Sequence, residues 1–239
     1  MKIKSSGKNP RARLHQRRLY GQRCGVARAL DIVGERWTLL LVRELMIGPR
    51  RFKDILGGLP GIGTNLLTDR LKDLEQAGVV ARRVLPPPAG STVYELTELG
   101  RGLEPVVFAL GWWGRQFMAQ SIPGEVSKPG WFMVGLRGTF RPDRAPVAAR
   151  YDLRIDGEMY VLDIEDGRLQ VGPGPATSAD LTLTTDLPTL VGMVSGALTP
   201  SAALKSGKAT IDGDRQDLTR FVKIFAWDRP EAPGEGPHR

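Results

Sequence analysis

The spacing of backbone breakers between residues 48 and 90 constrains this chain more than any other feature. Gly48-Pro49, the run Gly57-Gly58-Leu59-Pro60-Gly61, Gly78 and the run Pro86-Pro87-Pro88-Ala89-Gly90 divide it into short segments. Proline cannot continue a helical or sheet ladder, and glycine accepts the angles of caps and turns, so each segment holds one short element. Val26, Leu30 and Val33 fall at helical spacing. Gly34 interrupts, and Trp37, Leu40, Leu41, Glu44 and Leu45 continue with a wide apolar face. A short helix is expected at 52–56, with Arg50, Arg51 and Lys53 at its start, and a longer one at 64–77 with Gly78 as its stop. Two strand-like runs, 79–85 and 92–96, flank the proline-rich stretch, which reads as a stiff hairpin tip. Three helices and then a hairpin is the order of a winged helix-turn-helix. One last helix is expected over 97–118, with Leu99, Leu103, Val106, Val107, Leu110, Trp113 and Phe117 apolar.

The 64–77 segment is the candidate reading helix. Leu67, Leu71 and Leu74 share one face, while Thr64, Asn65, Thr68, Asp69 and Lys72 point away from it. Those five are short polar donors and acceptors of the kind that read base edges in a major groove. Arg50, Arg51 and Lys53 on one side, and Arg82 and Arg83 on the other, are the candidate phosphate contacts. Arg70 lies nearer the core-facing edge and is assigned to a phosphate or to an internal carboxylate.

Charge supports a polyanionic partner for this half alone. Residues 1–119 carry a net +10 and residues 120–239 a net −2, within a total of +8. Residues 1–23 hold eight Lys and Arg with few apolar residues, and read either as an arm along DNA or as a plain disordered tail. The remaining composition speaks against catalysis. Cys24 is the single cysteine and the two histidines, His15 and His238, lie in the tails, so neither a disulfide framework, a cysteine-rich zinc site, a Ser-His-Asp triad nor a His-ligated metal is expected. No cofactor and no enzyme activity are expected. No stretch approaches the roughly 18 apolar residues of a membrane span, and no signal peptide is evident, so a cytoplasmic protein without membrane contact is expected.

Four motifs in order carry a specific resemblance: residues 24–40 (CGVARALDIVGERWTLL), 48–55 (GPRRFKDI), 59–78 (LPGIGTNLLTDRLKDLEQAG) and 94–100 (YELTELG). Together they resemble the HxlR family of winged helix-turn-helix regulators over residues 24–118. The resemblance implies a homodimer that binds double-stranded DNA at short palindromic operators. Some members carry, at the place of Cys24, a thiol that senses oxidants or electrophiles; an inert, packed cysteine is the alternative. Gly63 stands where the family usually has a serine or similar cap, which would start the reading helix at Thr64. Trp112 and Trp113 point about 100° apart on a helix, so one small domain cannot easily bury both; a partner subunit or the second half of the chain would cover the other.

The composition shifts again at 119–130, where Pro123, Gly124, Pro129 and Gly130 mark a linker. Beyond it, a helix at 131–140 is followed by strand-like alternation at 150–155, 159–164, 168–171 and 179–184, read as a meander with Gly157 and Gly167 at its turns. Helices at 187–195 and 200–206, a strand near 208–211 and a helix at 214–225 complete an α+β arrangement, and 228–239 reads as a disordered tail. Residues 179–186 (ADLTLTTD) and 204–214 (LKSGKATIDGD) resemble sterol-carrier-protein-like domains, which enclose an apolar cavity. The resemblance implies a small hydrophobic ligand, and Trp131, Met133, Leu190, Met193, Val194, Phe221 and Phe225 are its candidate lining. A plainly packed core is the alternative. The fold expected is therefore α+β: a winged helix domain at 24–118, then a sterol-carrier-protein-like domain at 131–227. The function expected is a DNA-binding transcription regulator whose second domain binds a ligand or aids assembly. The rival is a lipid or small-hydrophobe binder whose winged helix is an interaction module.

Overall fold

A computed structural model describes residues 19–86, 90–118 and 122–227. Most of the basic arm, the tip of the hairpin at 87–89, the first residues of the expected linker and the 228–239 tail lie outside the described residues, as do His15 and His238. The chain divides into two compact units, Met1–Val107 and Phe108–Arg239.

The first unit contains α1 (Gly25–Val33), α2 (Thr38–Leu45), α3 (Phe52–Gly58), α4 (Thr64–Gln76), β1 (Val80–Val84), β2 (Thr92–Leu96), the single turn α5 (Glu98–Arg101) and the start of α6 (Glu104–Gly114). Its core gathers Leu41, Val42 and Leu45 of α2, Ile55 of α3, Leu67, Leu71 and Leu74 of α4, and Val79, Val80, Val93 and Leu96 around the hairpin, all buried. Gly78 ends α4 as expected. Its φ is 73°, its N–H donates to the Glu75 carbonyl at 3.1 Å, and the Val79 N–H reaches back to Leu74 at 2.9 Å. That double closure turns the chain directly into β1.

The expected helix over 97–118 is instead broken in two. Thr97 caps α5 by accepting from the Gly100 N–H. A Cβ on Gly100 would stand 2.1 Å from the Val79 carbonyl oxygen, so this turn is pressed against the start of the hairpin. Pro105 then forces a restart, because proline is tolerated only in a first helical turn. The chain enters a 3₁₀ turn at Arg115–Phe117.

The second unit holds α7 (Pro129–Thr139), β3 (Ala149–Ile155), β4 (Glu158–Glu165), β5 (Arg168–Pro173), β6 (Leu181–Thr185), α8 (Leu187–Val194), α9 (Pro200–Lys205), β7 (Ala209–Gly213) and α10 (Arg215–Ile224). The sheet order is β5-β4-β3-β6-β7. β3, β4 and β5 form the expected meander, its two turns built on Asp156-Gly157 and Asp166-Gly167 with positive φ at all four residues. The fourth strand departs from it: β6 pairs parallel to β3. Asp180 starts that pairing, exchanging backbone and side-chain hydrogen bonds with Arg150.

Tyr151, Leu153 and Ile155 of β3 are wholly buried, with Phe221 of α10 edge-on to Tyr151 at 5.2 Å and Phe225 against Phe221 at 5.0 Å. Burial pushes the Tyr151 hydroxyl up to about 12. α7 begins at Pro129, inside the expected linker, because a proline is well suited to a first helical turn. The boundary between units also falls earlier than expected. Phe108 lies where a Cβ on Gly138 of α7 would meet its ring at 2.9 Å, and the Arg115 guanidinium lies over Trp112 (4.8 Å) and Trp227 (4.0 Å). These contacts place the C-terminal half of α6 in the second unit. No helix among the described residues is long and apolar enough to cross a membrane.

Candidate nucleic-acid interface

α4 buries Leu67, Leu71 and Leu74 and turns Thr64, Asn65, Asp69 and Lys72 to solvent. Among the described residues neither Asp69 nor Lys72 has an ion-pair partner, so both are available to a ligand. Thr68 is half-buried and its hydroxyl donates to the Thr64 carbonyl at 2.8 Å, which occupies its proton and leaves the oxygen as an acceptor. Gly63 is the N-cap residue and supplies no side-chain cap.

The loop before α4 is held from α2. Trp37, the residue before α2, has φ 78°, a conformation that a bulky side chain adopts only when its surroundings impose it. A Cβ on Gly61 would meet its ring at 3.6 Å, so the indole lies against the turn between α3 and α4.

The expected phosphate set separates into two groups. Arg51, Lys53 and Arg82 are exposed and, among the described residues, have no ion-pair partner. Of the two roles expected for Arg70, the structure shows a carboxylate pairing: its guanidinium meets Glu35 at 2.9 Å and Asp73 at 3.2 Å, with 17% of the side chain exposed. Its bond to Glu35, itself half exposed, ties α4 to the turn after α1. Arg83 reaches along the hairpin to Glu95 through two bonds of 3.1 Å, and stays half exposed. Arg50 turns inward. Its Nη1 lies 3.8 Å from Oε2 of Glu44, and its backbone exchanges hydrogen bonds of 2.9 and 2.8 Å with Tyr94, which adds a third, single-residue strand to the hairpin.

Sequence reasoning missed Glu44, Glu35 and Tyr94. The first had left a signal, a carboxylate within the apolar stripe of α2, which was counted as part of that face. Glu35 and Tyr94 had none, since their partners lie 35 and 44 residues away.

Cys24 is exposed and stands at the N-cap of α1. The backbone N–H groups of Ala27 and then Val26 hold its thiol below the ordinary range. In the second unit, Met133, Leu190, Met193, Val194, Phe221 and Phe225 lie together in the buried core, while Trp131 is half-buried at its margin near Lys128. A recess at the β4–β5 turn is polar instead, lined by Asp163, Glu165, Asp166, Arg168 and Gln170. Among the described residues no cluster of His, Cys, Asp and Glu is arranged to hold a metal ion.

A unit of four helices followed by a hairpin wing, with an outward polar helix and exposed cations at the start of α3 and on the wing, defines a winged-helix transcription regulator, here joined to a separate α+β domain. Residues 32–122 match the HxlR-like helix-turn-helix family, and residues 138–226 match the SCP-2 sterol transfer family. Over 89 residues the chain is 42% identical to the HTH-type transcriptional regulator YodB of Bacillus subtilis strain 168, covering 37% of this chain and 80% of that protein. Over 94 residues it is 36% identical to the uncharacterized HTH-type regulator YvaP of the same strain, covering 39% and 87%. The solved reduced form of YodB aligns with 44% of this chain and all of its own at 38% identity, with a TM-score of 0.37. The protein belongs to the HxlR-like family of transcriptional regulators and carries an SCP2 domain in its second half.

Proposed function

We propose that this protein is a cytoplasmic, dimeric regulator that reads a palindromic operator with α4 and is tuned by a hydrophobic ligand held in its SCP2 domain. The observation that carries the reading is the outward face of α4, where Asn65, Asp69 and Lys72 stand exposed, together with the exposed cations Arg51 and Lys53 at the start of α3 and Arg82 on the wing, which among the described residues have no ion-pair partner. Asn65 and Lys72 supply the hydrogen bonds that distinguish adenine and guanine edges, and Thr64, Thr68 and Asp69 complete the reading set. Arg51, Lys53 and Arg82 grip phosphates, and Arg83 joins them by exchanging Glu95 for a phosphate.

Two-sided phosphate contact is measured by salt. Each neutralised contact removes about 0.9 from the slope of log affinity against log salt. Arg51→Ala with Arg82→Ala is therefore expected to flatten the slope by about two and to weaken operator and random duplex alike. An unchanged slope assigns both arginines to a solvated surface.

In the SCP2 domain, a ligand entering among Met133, Leu190, Met193, Val194, Phe221 and Phe225 would take the place of their mutual packing, with Trp131 at the margin. It regulates to the extent that it binds the DNA-competent and DNA-incompetent states unequally.

Cys24 is proposed as a second input. With its pKa lowered, the thiolate fraction near neutral pH is larger in the folded chain than in the unfolded one. Iodoacetamide near neutral pH should label the native protein faster than the urea-denatured protein, and the advantage should be lost as the pH rises well past the ordinary thiol range, where both become thiolate. Diamide should then lower operator affinity of the wild type and leave Cys24→Ser unaffected. Equal labelling rates, or wild-type affinity indifferent to diamide, exclude Cys24 as a sensor.

A further inference from the structure

Glu44 is a buried carboxylate in the DNA-reading unit, with 3% of its side chain exposed, on a helix whose neighbouring Leu41, Val42 and Leu45 are core. A charge in such a place is expensive unless paired, and an apolar side chain of the same volume commonly serves stability at least as well. The fold nevertheless makes room for it. A Cβ on Gly58, the last residue of α3, would stand 2.2 Å from Glu44 Oε2, so any larger residue there displaces the carboxylate. Arg43 Nη2 donates to its Oε1 at 2.9 Å, and Arg50 Nη1 lies 3.8 Å from its Oε2. Through the Arg50–Tyr94 backbone pair, that second contact reaches the wing.

We propose that Glu44 is a positioning residue for DNA reading: it withholds the Arg50 guanidinium from phosphates and, through Arg50, ties the wing to α2. The inference rests on the regulator reading above. Arg50 and Arg51 are adjacent and chemically identical, yet one side chain is three-quarters covered against Glu44 and the other is exposed. A free cation at Arg50 adds affinity for any duplex and none for a particular sequence, because phosphates carry no sequence information directly. A wing released from α2 no longer aims Arg82 at a fixed distance from α4. Glu44 thus lowers sequence-independent binding and preserves sequence-dependent binding.

The test uses the full chain, an operator fragment defined by footprinting the DNA upstream of its own gene, and a random duplex of equal length across a salt series. Glu44→Gln keeps the shape and removes the charge. It is expected to tighten random-duplex binding several-fold, steepen the salt slope by about one, and reduce operator preference about tenfold. In an Arg50→Gln background, Glu44→Gln is expected to leave the slope unchanged. Arg50→Gln alone provides a readout should Glu44→Gln melt below the assay temperature. It is expected to leave the random-duplex slope as in the wild type, whereas Arg51→Gln lowers it by about one. Operator and random duplex weakened in the same proportion by Glu44→Gln, or a slope lowered by Arg50→Gln as much as by Arg51→Gln, overturns the proposal alone. A wild-type chain without operator preference overturns the regulator reading and this proposal with it.

Discussion

Replacing Leu110 and Trp113 with glutamate is expected to convert the protein to a monomer that has lost operator affinity by at least about 100-fold, the scale of the advantage gained when a second binding event becomes intramolecular. The reason lies in α6. No residue of that helix is buried, although it is apolar almost throughout. Val106, Leu110, Trp113 and Phe117, which follow one another at helical spacing, are 45%, 46%, 62% and 63% exposed. The second unit accounts for a different face, the one carrying Phe108, Trp112 and Arg115. The two adjacent tryptophans are thus separated as their spacing implied, Trp112 half-buried beneath Arg115 and Trp113 outward with Phe117 edge-on at 5.0 Å. α1 leaves Val26, Leu30 and Ile32 exposed as well, and Leu19 and Tyr20 precede them. Exposed apolar faces of this kind mark interfaces, and the expected cover for the α6 face is a second copy, which two-fold symmetry would set with the same residues on both sides. Such symmetry would also present two reading helices to two half-sites. Sedimentation velocity at micromolar concentration decides the matter. A wild type that sediments as a monomer removes the dimer, and a double variant that remains dimeric moves the interface elsewhere.

Asn65→Ala should weaken operator binding by about 1–3 kcal/mol, between roughly 5- and 150-fold, with little change on random duplex. Asn65 is exposed on the first turn of α4, and its carboxamide can bond an adenine edge through both its atoms at once. The substitution removes a side chain that no described contact ties to the fold, so thermal stability should be nearly unchanged. Competition titrations with operator and random duplex at one salt concentration separate the terms. Equal losses on the two duplexes would show that α4 lies against DNA without reading it.

The α+β class, the order of helices and wing in the first unit, and the strands and helices of the second were legible because each depends on local chemistry. Gly78 ends α4, Pro49 keeps α2 from continuing, and Asp156-Gly157 and Asp166-Gly167 turn the meander. In each case the residue that must adopt an unusual angle is the residue that can. The two polarities of α4 were legible for the same reason, since helical period alone assigns Leu67, Leu71 and Leu74 to one side and Asn65, Asp69 and Lys72 to the other. Tertiary structure decided what local chemistry cannot carry. Strand alternation says which residues of 181–185 face inward but not which neighbour they meet, so the parallel pairing of β6 with β3 had no sequence signal. Apolar periodicity over 97–118 suggested one helix. The close approach of Gly100 to Val79 and the restart at Pro105 divided it.

Among the arginines the distinction was wholly tertiary. Arg50, Arg51, Arg70, Arg82 and Arg83 are alike in sequence. A guanidinium goes to whichever carboxylate the fold brings within reach, and Glu44, Glu35 and Glu95 arrive there from other elements. Sequence therefore determined that this unit presents positive charge beside a polar helix, while only the folded chain determined which of those charges remain free to meet DNA.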